Sequence, residues 1–403
     1  MASMVGNVTP RSAGPFGRAF LSHARAVAFC SVSALGISGC RPHDFPQYPA
    51  SYREFAYVTN EVSGTVSIYD VVNVRLDREV TVGRNPVAVV ASRTRNEIYV
   101  VNQGAASESG SVSVLDAERN EAAATIAVRR HPSAIAVNPD DTMAYVTNSG
   151  SNNISVIDLK SRREVAAIGA GEEPVALGIT PNGKTLLVAN RAGNSVTVID
   201  VENRRVRAVL EGCPGADDVV ILPDSSKAFA ACAGGHQIMA IALAGSGIAA
   251  GSSDRVEAML DVGRGPVQLA LKPDGGELFT MNSLSDSISE VVTSTNDVGG
   301  AYMIGAQPVR GIVTADNALL YVGNLRSQEV TIYAIDDGKR EGDVQVGDGP
   351  IAFAFSAAGH LLFVVDSRSN DVAVVRTASH SLFTVLPAGR GPSAIADKAF
   401  NTQ

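Results

Sequence analysis

The chain has 403 residues, 45% of them hydrophobic and 18% charged, with 33 basic and 41 acidic side chains and a formal charge of −8. The first 40 residues hold three arginines and no acid, so the rest stands at −11 (30 against 41). That balance argues against nucleic acid as a partner, because neutralising phosphate needs clustered Lys and Arg.

At the front, Arg18, His23 and Arg25 precede an apolar run from Ala26 to Ile37, followed by Ser38-Gly39-Cys40. A positive segment, a short apolar stretch and small residues at the cut describe an export signal, too short to span a bilayer. The Ile37-Ser38-Gly39-Cys40 tail resembles a bacterial lipobox. This implies cleavage before Cys40, lipid on its sulfur and a protein tied to the cell envelope, on the periplasmic side of the outer membrane or at the cell surface. Residues 41–51, with Pro46 and Pro49, read as a flexible tether. With Cys30 cut away and Cys40 lipidated, Cys213 and Cys232 remain. In an exported protein this is the pattern of one disulfide.

From residue 52 to 403 one unit recurs. Short strands close at Asn60, Asn102, Asn148, Asn190, Cys232, Asn282, Asn324 and Asp366, mostly 42 residues apart. A second marker, usually Gly-x-x-Pro, keeps step at Pro86, Pro132, Pro174, Pro214, Pro266, Pro308, Pro350 and Pro392. The unit 86–130 contains four strand patterns: Val87–Ala91, Ile98–Val101, the alternating Ser111–Asp116, and Ala123–Val128. Four short strands per unit of about 40 to 45 residues are the signature of a propeller blade. The fold is therefore all-β, a single β-propeller. Phe55–Asn60 opens the ring as a second strand with no first strand before it. Gly389-Arg390-Gly391-Pro392-Ser393-Ala394-Ile395-Ala396 repeats the pattern of Gly263-Arg264-Gly265-Pro266-Val267-Gln268-Leu269-Ala270 and supplies the missing piece. Closure by the C-terminal strand then makes eight blades, or seven if the atypical unit at 214–262 is irregular.

Phe55-Ala-Tyr-Val-Thr-Asn60 and Met143-Ala-Tyr-Val-Thr-Asn148, each followed by a Ser-Val-x-Val-Ile-Asp-like strand, resemble the YVTN-type β-propeller repeats. The resemblance covers about 350 residues. It implies an exported or surface-attached propeller and carries over no catalytic set. Related propellers include gluconolactone hydrolases and the haem d1 domain of a nitrite reductase. There is no Cys-x-x-Cys-His for covalent haem.

Chemistry is to be sought where blades depart from their siblings. Two residues after the Pro marker, five blades carry Ala88, Ala134, Ala176, Ala352 and Ala394. Blades five, six and seven carry Asp218, Gln268 and Arg310, taking two residues as inserted after Pro214. These three form either a hydrogen-bonded chain that satisfies itself or a ligand site on one side of the channel mouth. Asp217 and His236 lie in the same blade-five connections. With Asp218 they are the one set that would approach a divalent metal, though without a recognised ligand spacing. His236 taken alone reads as a loop histidine. Arg264 belongs to a mixed-charge rim with Arg84, Arg129, Arg130, Arg191, Arg326, Arg368 and Arg390, an anion-attracting mouth or simply solvated loops. The Gly/Ser/Ala insertion at 244–254 reads as a loop on the opposite face.

No Ser/His/Asp or Cys/His set is present. The sequence thus points to a lipid-anchored, monomeric binding or interaction module with no cofactor, its protein or small-molecule partner held on the loop face. A lactone hydrolase using Asp218, His236 and Arg310 is the alternative. An accessory protein of a periplasmic redox system follows only from family company.

Overall fold

The computed structural model describes residues 46–244 and 253–402. The export signal, the lipobox with Cys40 and most of the blade-five insertion lie outside them. The described residues form eight four-stranded antiparallel sheets. Seven are built from consecutive strands. In the eighth, the last strand, Pro392–Asn401, pairs with the first, Tyr52–Asn60. The expected closure is therefore present, and longer than its repeat predicts: ten residues against six in each of the other innermost strands. Blade five, at 216–261, is a regular member of the ring.

The core is divided among the seams. Eight hydrophobic clusters are present, one between each pair of neighbouring blades. The second strands, such as Ile98–Val101 and Leu186–Ala189, are buried on both faces because each sheet is covered on both sides. The marker Asn residues are buried at the ends of these strands. All six donate from Nδ2 to a third-strand hydroxyl at 2.9–3.0 Å: Ser67, Ser113, Ser155, Thr197, Ser289 and Thr331. The Gly of Gly-x-x-Pro lies against that same Asn. A Cβ on Gly83, Gly171 or Gly263 would stand within 2.7 Å of it.

Blade five uses this close approach differently. Its innermost strand starts at Ala216, two residues after Pro214, which puts Cys213 in the Gly place and Cys232 in the Asn place. The two sulfurs are bonded, with the Cα atoms 4.8 Å apart, within the usual disulfide range.

The end of the tether is partly docked. The Tyr48 ring stacks on Tyr52 at 4.4 Å, and the Tyr52 N–H donates to the Pro49 carbonyl. The C-terminal Thr402 N–H donates to the Ser51 carbonyl, so both ends of the propeller meet on one face. That face is opposite the marker Asn residues, because Tyr52–Asn60 runs from one face to the other.

Candidate ligand site in the central channel

In all eight blades the pairing of the innermost and second strands slips by one residue just after the Pro marker. Pro86 faces Asn102, while Ala88 faces Val101, and Ala216 faces Cys232, while Asp218 faces Ala231. The other six blades do the same. Such a bulge turns two consecutive side chains toward one side. That is how both Asp217 and Asp218 come to line the channel.

The channel encloses a cavity of about 560 Å³. Its wall is Ala88, Ala134, Ala176, Ala352 and Ala394 with flanking Val, Ile and Leu on five blades, and Asp218, Gln268 and Arg310 on the other three. These three positions form one polar arc. They do not hydrogen-bond to one another. Each reaches the backbone of the next blade instead. Asp218 Oδ2 accepts from Leu269 N–H at 3.0 Å, Gln268 Oε1 accepts from Gly311 N–H at 2.7 Å, and Arg310 Nε donates to the Ile351 carbonyl at 3.0 Å. On the opposite side Ser133 and Ser393 do likewise, donating to the Pro174 and Pro86 carbonyls at 3.0 Å. The arc is a ladder of clasps between blades rather than the expected chain of side chains. The bulge is what turns these side chains sideways, and no residue type announces it.

The commitments differ along the arc. Gln268 uses both ends, since Nε2 also donates to the Leu269 carbonyl at 2.7 Å. Both Asp218 oxygens accept a backbone N–H, the second from Val219 at 2.8 Å. Arg310 spends only Nε, and its two terminal nitrogens have no hydrogen-bond partner among the described residues. Asp218 is half-buried by surface but lies deep within the ring. Burial pushes its carboxyl up to about 6, even though the Leu269 N–H, the Arg310 charge and the Val219 N–H pull the other way. Phe353 lines the channel beside Arg310. Its ring occupies the space left by Gly323, where a Cβ would stand 2.7 Å from it.

Of the six candidate residues, Asp217, Asp218, Gln268 and Arg310 line the cavity, whereas His236 and Arg264 do not. Asp217 is ion-paired with Arg191, which also reaches Glu173 at 3.5 Å. His236 holds a left-handed loop position (φ 56°), and its Nδ1 accepts from Gly265 N–H at 3.2 Å. Asn152, Asn194, Asp286 and Asn370 do the same for Glu173, Gly215, Gln307 and Gly391. His236 is thus one of a set of five loop clasps. Among the described residues no group of three or more His, Cys, Asp or Glu is placed to hold a metal ion, so the Asp217–Asp218–His236 grouping does not assemble. Arg264 is exposed on the rim, and its backbone N–H donates to Ser285 Oγ at 2.9 Å.

Residues 131–400 match the model of the YNCE-like β-propeller family. The chain belongs to that family. Residues 31–208 also match the model of the seven-bladed lactonase β-propellers. No curated protein matches the sequence. Solved structures share the architecture. Hydrazine synthase of Kuenenia stuttgartiensis is 22% identical over 73% of this chain and 96% of its own, with a TM-score of 0.58. Dihydro-haem d1 dehydrogenase NirN is 16% identical over 87% and 76%, with a TM-score of 0.67. Apo AztD from Citrobacter koseri is 12% identical over 86% and 98%, with a TM-score of 0.64. At these identities the likeness concerns the fold alone.

Proposed function

We propose that this YNCE-like propeller is an exported, lipid-anchored protein that binds a small molecule in its central channel. The observation that carries this reading is the two-sided cavity, with one polar arc on three consecutive blades facing an alanine wall on the other five. Its volume falls in the range of small-molecule sites, and a few convergent polar side chains are what orients a ligand in such sites. The arrangement supports binding better than hydrolysis. Asp218 is the one carboxyl in the arc, both of its oxygens already accept backbone N–H groups, and no nucleophile stands beside it.

The anchor rests on the Ile37-Ser38-Gly39-Cys40 pattern. The chain enters the propeller on the face opposite the marker Asn residues. Replacing Cys40→Ala should move the protein from the membrane fraction to the soluble one, and unchanged membrane retention would overturn the anchor. For the channel, the test is thermal melting in the presence of a low-molecular-mass extract of the cell envelope. The wild type should melt higher with extract, and an Ala176→Trp variant, whose indole fills the lumen, should not. A wild type indifferent to the extract would sink the binding reading.

A further inference from the structure

The channel wall also limits the chemistry of what it can hold. The Ser133 and Ser393 hydroxyls are committed to backbone carbonyls, Gln268 Nε2 spends one of its two N–H groups on the Leu269 carbonyl, and both Asp218 oxygens are occupied. Asp217, at the mouth, is neutralised by Arg191. Among the described residues the main unspent donor in the lumen is one planar fork, the two terminal nitrogens of Arg310, held at a fixed height by the Nε bond to Ile351. A guanidinium presenting two parallel N–H groups matches a carboxylate in bidentate fashion. A phosphate dianion would need several further donors, and beyond the fork the polar arc has one, the second N–H of Gln268 Nε2. The other five blades present alanines, with the Phe353 ring beside the fork, and these side chains suit an apolar body.

Building on the ligand-binding reading above, we infer that the channel takes a small amphiphilic monocarboxylate, with its carboxylate on the Arg310 fork and its apolar body against the alanine wall. Asp218 works against this ligand. Its negative charge lies close enough to Arg310 to interact with it, so it competes for the same cation. Anion binding is therefore stronger when the Asp218 carboxyl is protonated or replaced.

The test is isothermal titration of the mature protein with octanoate and with octanamide, its uncharged counterpart. The wild type should bind octanoate about tenfold or more tighter than octanamide, the scale of one charge-assisted pairing. Arg310→Gln should lower octanoate affinity to the octanamide level and leave octanamide unchanged. Arg310→Lys keeps the charge and should fall between. Asp218→Asn should tighten octanoate and not octanamide, and Ala176→Trp should abolish both. Equal binding of the two probes by the wild type, or octanoate binding indifferent to Arg310→Gln, would overturn the carboxylate assignment. So would the failure of octanoate to bind, while melting with envelope extract reports separately on whether the channel holds any ligand at all. Should Arg310→Gln melt well below the wild type, the Lys variant and the Asp218→Asn gain carry the decision.

Discussion

Asp366 ends the second strand of blade eight, in the place where six other blades carry Asn. The hydroxyl that those Asn residues donate to is missing as well, because Ala373 stands at its position. With no hydroxyl to serve, the Asp366 side chain takes the Gly347 N–H directly, at 2.9 Å on Oδ2. Its Oδ1 and that of Asp371 have no partner among the described residues. Burial raises the Asp366 pKa, and the neighbouring Asp371 carboxylate raises it further. A carboxyl raised in the folded state contributes stability that is complete below its unfolded pKa, near 4, and is lost as pH rises through the folded value. An amide at this position would still accept from Gly347 and would donate to Asp371. Asp366→Asn should therefore stabilise the protein by about 1–2 kcal/mol at about pH 8, with the gain shrinking toward about pH 5. Urea unfolding at the two pH values measures this. A variant no more stable than the wild type at the higher pH would contradict the account.

Blade five shows how a repeated contact can change its chemistry while keeping its geometry. The Gly–Asn approach of the other blades becomes the Cys213–Cys232 bond, and the hydroxyl position is filled by Met239, buried in the seam with blade four. Replacing both cysteines with Ser should cost about 3 kcal/mol, from the chain-entropy estimate for a loop closed between residues 19 apart. Mass spectrometry after alkylation without prior reduction checks the bond itself, since both thiols should resist modification. The pairing is legible in the amino-acid sequence because two cysteines in one unit sit at the entry of one strand and the exit of its antiparallel neighbour. The Asp218–Gln268–Arg310 arc is legible for a similar reason, as three departures at one position of a strict repeat. The bulge that turns Asp217 inward, and the loop clasp that claims His236, are not. Alternation along a strand assumes an unbroken ladder, and a bulge of one residue leaves no mark in hydrophobicity. The clasp is filled by Asn, Asp or His, types that turn positions favour for their own conformational reasons.

At the scale of the whole ring, the polar arc and the alanine wall face each other only because the first and last strands share a sheet. Pro392–Asn401 pairs along the length of Tyr52–Asn60 and carries Ala394, part of the wall, into the channel. It also tightens both flanking seams. Ile395 packs into the seam with blade eight, Phe400 packs into the seam with blade two, and Lys398 Nζ donates to the Ser92 carbonyl at 2.7 Å. The Ser393 and Thr59 hydroxyls meet at 2.9 Å, and Ser393 reaches Pro86 of blade two. Repeat proteins gain stability from each neighbouring interface, and an open ring leaves two such interfaces incomplete and a strand edge bare. Truncation after Leu386 removes this strand and takes only Pro387 from the other seven sheets. The truncated protein should melt well below the full chain, associate through the exposed edge of Tyr52–Asn60, and lose channel ligands together with the wall. Adding a synthetic peptide of residues 387–403 should restore part of the melting temperature, because the missing strand pairs through backbone groups that a separate chain can supply. A truncated protein that melts with the full-length one would mean that the ring holds without its closing strand.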